Sequence, residues 1–515
     1  MRVSSLLAAS VLCTACYGET ETTSDAGAKQ DGGETTSDGT SDGGTAPGQD
    51  TSGAEATGAG ATGDGRSTTG GDGTESESEP DCPPVTLAQT LVEVSVPEDL
   101  LVLEGVTRLE GSLTIGSQSE GTTIESLAGL SCLTEVTGDI SIKGATRLKN
   151  LDGLDHLRTL KGLSIGNRCP GEGAGYECGI VNALTDITFP ALETALWIGV
   201  VDNPSLIEVS FPALTSAESI YFGPSPMLEA VELASLVEVP ELTFYGLPAL
   251  STVTAPELVR APDVHLEDTG IAEIDFLAGG ELGGVYLMGN LRLSSVAPLA
   301  GTTHLKSLVI TDSEVLTDLE GLEGLERVEG GLRLYRNRAL ASLDALRRLT
   351  HVGVLHFEEM DLLTDLSGLE ALESVDGLGI YYCDSLTSLD GLHPAFTARG
   401  IGLDGNPQLA ELSALSHLRA LPDFLILSRN SAMTSLSGLE GVESVGTLAI
   451  TYNEALTSVS ALDSLVSVEG DLKIMDNPNL PTCEAEGLVA RLDSSSPPSG
   501  VFVSSNDDDG TCTPL

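Results

Sequence analysis

From about residue 100 onward one phrase recurs, L-x-x-L-x-G-L-x-x-L-x-x-V-x-G-x-L-x-I-x-x-N, and a repeat of this length leaves a chain few folds to choose from. Clear copies are LTDLEGLEGLERVEGGLRLYRN, from Leu316 to Asn337, and LTSLSGLEGVESVGTLAITYN, ending at Asn453. The first residue of each L-x-I stretch marks a coil: Leu113, Ile140, Leu163, Leu196, Ile220, Leu242, Val264, Val285, Leu308, Leu332, Leu355, Leu378, Ile401, Leu425, Leu448 and Leu472. Apart from intervals of 27 and 33 near the start, the markers are 21 to 24 residues apart. A unit that short cannot bury its own apolar face and must stack on its neighbours. In all sixteen copies both apolar positions of the stretch hold Leu, Ile, Val or Phe. Strict alternation turns those side chains inward and their neighbours outward. The pattern predicts an all-β-dominated solenoid, a right-handed β-helix of about 16 coils over residues 85–482. At about 4.8 Å per coil it would be on the order of 75 Å long, with one continuous parallel sheet.

Composition agrees with a thin, aliphatic core, since only 4% of the 515 residues are aromatic. The net charge is -53, and residues 1–82 hold 15 acidic and 3 basic residues of the total. Most of the negative charge therefore falls on the repeats, where it repels phosphates and anionic headgroups. Nucleic acid and peripheral lipid are poor partners for such a surface.

The N-terminus reads as an export signal, residues 1–15. Met1-Arg2 gives a charged start, and Leu6 to Ala15 an apolar core too short to span a bilayer. Cys16 follows Thr14-Ala15 in an arrangement that resembles the lipobox of bacterial lipoproteins, in which the cysteine after the cleavage point is acylated. Cys13 departs from that pattern, where leucine is usual, and ordinary secretory cleavage near Ala15 is the alternative. From Glu19 to Pro84 there is no Leu, Ile, Val, Phe, Tyr, Trp or Met. Residues 16–84 are expected to be a disordered acidic linker. It would tether the solenoid to a membrane with a reach of roughly 45 Å.

Five residues after the marker, Asn290, Asn337, Asn406, Asn430, Asn453 and Asn477 fall in one column. An inward asparagine there can tie adjacent coils together. Cys383 shares the column and is expected to be a buried structural thiol. The phrase resembles receptor L-domain repeats, leucine-rich-repeat-like β-helices of growth-factor-receptor ectodomains. The variants FPAL (Phe189–Leu192, Phe211–Leu214) and APEL (Ala255–Leu258) are similar to those of fungal anchored cell-wall organisation proteins. The resemblance covers roughly residues 100–480. It implies extracellular recognition or wall maintenance and carries over no catalytic residue.

The remaining cysteines of an exported chain invite disulfides. Cys169 and Cys178 lie in the long early interval and would close that loop. Cys483 and Cys512 bracket residues 483–515, where EAEGLVARL reads as a short C-terminal capping helix. Cys82 and Cys132 would pin the N-terminal end. These cysteines lack zinc-ligand spacing. Asn506–Gly510 is a lone acidic turn without EF-hand spacing. No cofactor or metal is called for.

Outward positions beside the second apolar residue hold Trp197, Tyr221, Tyr245, Tyr286, Tyr335 and Tyr381. His265, Glu267, Arg333, His356 and Glu358 sit among them. Exposed rings in a row suit a sugar or a protein partner, and rings also pack against one another in a ladder. The two His-x-Glu pairs are four coils apart, about 19 Å, too far to converge. The leading expectation is a lipid-anchored, non-catalytic module of the outer cell surface. It would bind an extracellular protein or glycan, touching the membrane only through its lipid. A structural role in the cell envelope is the alternative, and a polysaccharide-acting β-helix enzyme a third reading, since such enzymes need charged groups converging in a cleft.

Overall fold

A computed structural model describes residues 82–117, 119–166, 181–492 and 497–512. The signal segment, Cys16, nearly all of the linker, and Cys169 and Cys178 lie outside the described residues. The alternating apolar pairs build a parallel sheet of twenty strands, each paired with the strand of the next coil. Two coils have their strand in two pieces, His304–Leu305 with Ser307–Thr311 and Ser467–Val468 with Asp471–Met475, so the sheet has eighteen rungs. The sixteen sequence markers account for all but the end rungs, Thr86–Val94 and Gly500–Ser504. Those two carry alternating valines but stand outside the repeat phrase. The last rung thus extends the sheet into the segment expected to be only a cap.

One marker is corrected. Leu163 pairs with Ile198, and Ile198 with Ile220, so Ile198 and not Leu196 is the inward residue of its coil. Leu196 is 47% exposed, whereas Ile198 and Val200 are 1% exposed. Both choices alternate with the same parity along L-W-I-G-V, so periodicity alone does not separate them. Pairing with the neighbouring coils does.

On the side opposite the main sheet the chain turns in short 3₁₀ segments, such as Ala128–Leu130, Asp344–Leu346, Ser413–Leu415 and Ser460–Leu462, each burying one leucine. The FPAL coils differ. There Asp186–Thr188, Glu208–Ser210, Ala230–Glu232 and Thr252–Thr254 form a second, four-stranded parallel sheet. Phe189 and Phe211 stack beneath it with ring centres 5.6 Å apart.

The asparagine column is a buried hydrogen-bond ladder. The Asn453 side-chain oxygen accepts from the Asn430 amide at 3.0 Å, and its nitrogen donates to the Leu427 carbonyl at 3.0 Å. The same pattern recurs at Asn406, Asn430 and Asn477. Asn203 and Asn506 belong to the ladder too. Asn203 escapes the sequence alignment because it lies five residues after the corrected marker, Ile198. Cys383 occupies one position, fully buried, with its amide donating to Asn406 at 3.0 Å. Burial pushes its thiol up to about 12, so it is no nucleophile.

The ends are closed covalently. Cys82 is bonded to Cys132 and Cys483 to Cys512, with Cα separations of 5.6 and 6.1 Å. Helix Thr482–Arg491 buries Ala485 and Leu488 against the last coils. The acidic turn after it is structural: Asn506 ends the ladder and Asp508 accepts from the Thr482 hydroxyl at 2.5 Å. Among the described residues no helix is long and apolar enough to cross a membrane.

Candidate recognition face

Each strand sends three side chains outward, one before its first inward residue, one between the two and one after. The sheet face therefore carries three columns, with a fourth on the turn that leaves it. The six aromatics expected in one row are split among the columns. Trp197 lies in the first, Tyr221 and Tyr286 in the second, and Tyr245, Tyr335 and Tyr381 in the third. Trp197 and Tyr381 are eight rungs apart, about 38 Å. They do not form one footprint.

Most of these rings lie down on the sheet instead of standing out. A Cβ at Gly162 would fall 2.2 Å from the Trp197 indole, and one at Gly284 would fall 2.7 Å from the Tyr286 ring. The glycines are sockets, and the rings repack the surface that they leave bare. His265 stacks on Tyr286 with centres 4.3 Å apart, and burial lowers its pKa.

The coils from Arg327–Tyr335 to Ser444–Thr451 carry a denser arrangement. Six of the chain's 24 basic residues are arginines between 327 and 348. Arg336 and Arg338 both reach Glu359, at 3.0 and 3.1 Å, and Arg333 reaches Glu358 at 3.4 Å. Arg336 also lies 4.6 Å over the Tyr335 ring. Glu358 accepts from His356 Nε2 at 2.8 Å, and that hydrogen bond is the main reason its carboxyl sits below the usual range. Arg429 holds Asp404 at 2.9 Å and lies 5.4 Å over Tyr452. Tyr381, between Glu358 and Asp404 in the third column, is pushed up to about 12 by burial and then by those two carboxylates.

The fourth column has an unusual backbone. In most coils the residue just before the ladder position takes a positive φ, and in several it is glycine or aspartate, as at Gly246, Asp268, Gly289 and Asp312. In the later coils it is Arg336 (55°), Glu359 (52°), Tyr382 (54°), Arg429 (54°) and Tyr452 (58°). Bulky residues there cost roughly 1–2 kcal/mol each relative to glycine. Tyr382 and Tyr452 are 38% and 50% exposed. Sequence reading missed this rim because backbone handedness leaves no periodic signal in a tyrosine or an arginine.

The two His-x-Glu pairs are four rungs apart, as their spacing implies. Among the described residues no group of three metal-type ligands comes together.

No family model matches the chain, and no curated protein matches it. Among solved structures it is similar to an internalin (inlF) from Listeria monocytogenes str. 4b F2365, at 16% identity over 74% of this chain and 83% of that one, with a TM-score of 0.31. It is also similar to the TLR13–ssRNA13 complex, at 15% identity over 78% of this chain and 74% of that one, with a TM-score of 0.21. The leucine-rich β-solenoid rests on its own coil geometry.

Proposed function

We propose that the protein is an exported, lipid-anchored recognition module of the cell surface. It binds an extracellular protein or glycan, without catalysis, through the outward sheet face and rim of its later coils. The observation that carries this reading is the run of Arg336, Glu359, Tyr382, Arg429 and Tyr452 in left-handed backbone. Glycine fills the equivalent place at Gly246, Gly289 and Gly405 without strain. Side chains kept on a costly backbone, all but Glu359 of them exposed to solvent, point to a use outside the fold. Two further supports are the resemblance of the repeat to receptor L-domain units and the export signal before Cys16.

A stability–function contrast tests this directly. Asparagine tolerates the left-handed conformation, so Tyr382→Asn with Tyr452→Asn is expected to leave the melting temperature unchanged or raise it. The same double variant is expected to abolish binding to whatever the full chain captures on protein and glycan arrays. Loss of stability with binding intact would make the rim a packing device and refute the reading. The anchor is tested separately. Metabolic palmitate labelling is expected to vanish in Cys16→Ser, and a label that survives places the lipid elsewhere or excludes it.

A further inference from the structure

We infer that the recognition face takes a neutral oligosaccharide, stacked on a two-ring platform that Tyr381 and Phe424 form over bare backbone. This rests on the recognition reading above and specifies its ligand. In the adjacent strands Ser374–Tyr381 and Thr397–Asp404 the first and second outward positions are all glycine: Gly377, Gly379, Gly400 and Gly402. Two consecutive rungs bare in their first two columns would leave a trench. Tyr381 and Phe424 roof it from opposite sides.

A Cβ at Gly379 would fall 2.5 Å from the Tyr381 ring, and one at Gly400 would fall 2.6 Å from the Phe424 ring. At Gly402 it would fall 2.7 Å from the Tyr381 hydroxyl and 3.7 Å from Phe424 Cε2, so both side chains border the same bare position. Gly379, Gly400 and Gly402 are buried although they sit on the outward side, and both rings remain half-buried. Each ring therefore lies over the backbone of a glycine and keeps part of its surface open to solvent. His356 continues the row, its ring centre 5.1 Å from that of Tyr381.

Polar groups border the rings in fixed positions. Glu358 and Asp404 flank Tyr381 in the third column, with side chains 23% and 11% exposed. His356 and Arg333 hold the first, and Arg429 holds the second. A carboxylate already paired with a cation keeps lone pairs for a hydroxyl but has little left to attract a free charge.

Flat rings that meet the C–H face of a sugar, bordered by preorganised acceptors and donors for its hydroxyls, are what a pyranose requires. A protein partner would want a desolvated apolar pocket at the centre. Here the bordering aliphatic residues Val354 and Ile426 are themselves half-buried. An anionic glycan is disfavoured by the net charge of -53. Four rungs, from His356 to Phe424, give about 14 Å of platform, room for a few linked sugar rings.

The full chain titrated by calorimetry with cellohexaose, maltohexaose, mannohexaose and chitohexaose is expected to bind at least one of them. Tyr381→Ala, Phe424→Ala and Gly402→Val, which lifts the ring from its socket, should each weaken binding about tenfold or more. Tyr381→Phe keeps the stack and should change it by no more than about twofold. Unchanged far-UV circular dichroism separates these losses from unfolding. If no hexaose binds, or binding ignores all three disruptive variants, the carbohydrate platform is wrong. A protein-array partner lost in the Tyr382→Asn, Tyr452→Asn variant would then leave the recognition reading standing with a different ligand. Indifference of every captured molecule to both sets of variants would overturn the two together.

Discussion

Asn453→Leu is expected to destabilise the solenoid by about 3–5 kcal/mol, read as a fall in the denaturant midpoint at unchanged slope. The side chain is fully buried, and its oxygen is the partner of the Asn430 amide. Its nitrogen serves the carbonyls of Leu427 and Thr451 at 3.0 and 3.1 Å. Leucine keeps the branched side-chain skeleton, with bulkier methyl groups, but supplies none of these bonds. A buried amide and a buried carbonyl lose their side-chain partner, and each orphaned group costs about 1–3 kcal/mol. The half-buried Asn150, whose amide donates to the nearby Asp152 carboxylate, is the control: Asn150→Ala should stay within about 0.5 kcal/mol. A cost below 1 kcal/mol at Asn453 would mean that the ladder is incidental to the fold.

Gly391→Ala should cost a similar amount by another route. The first glycine of the repeat phrase, in L-x-x-L-x-G-L, is Gly153, Gly321, Gly368, Gly391 and Gly438 in five coils, with φ between +104° and +109°. At Gly391 a Cβ would stand 2.2 Å from the carbonyl carbon and oxygen of Leu366 in the coil below. Backbone cannot move aside as a side chain can, so the coils must part locally. Together with the left-handed φ this is expected to cost about 3–5 kcal/mol. Gly105 isolates the second contribution, because it has φ +74° and nothing within 4 Å of its Cβ site. Gly105→Ala should therefore lose only about 1 kcal/mol. Equal losses at the two sites in thermal or chemical unfolding would remove close approach as the reason for the repeat's glycine.

These two positions show how far the repeat phrase alone can be read. Its columns announce that an asparagine and a glycine recur, and the physics of a buried amide explains the asparagine without coordinates. The glycine is different, since its reason is the backbone of a coil some 25 residues earlier. The same limit explains the misplaced marker at Leu196. The run L-W-I-G-V fits one alternation with either Leu196 or Ile198 as the first inward residue, and the coils on either side choose the register that buries Ile198 and Val200.

The face shows the limit most sharply. That Tyr381 points outward follows from period-two alternation, and the glycines at 377, 379, 400 and 402 are visible as blanks in the columns. Which way the ring falls is not written in either column. It leans over Gly379 and Gly402 because the space above bare backbone is there to fill, and Phe424 borders the same space from the next strand. Local periodicity thus determined the solenoid, its inward pairs and its asparagine ladder, because each depends on one coil and its identical neighbour. The platform, the charged pairs around it and the left-handed rim were decided by contacts between unlike coils. Those contacts exist only once the stack has formed, where residues more than twenty positions apart come within a side chain's reach.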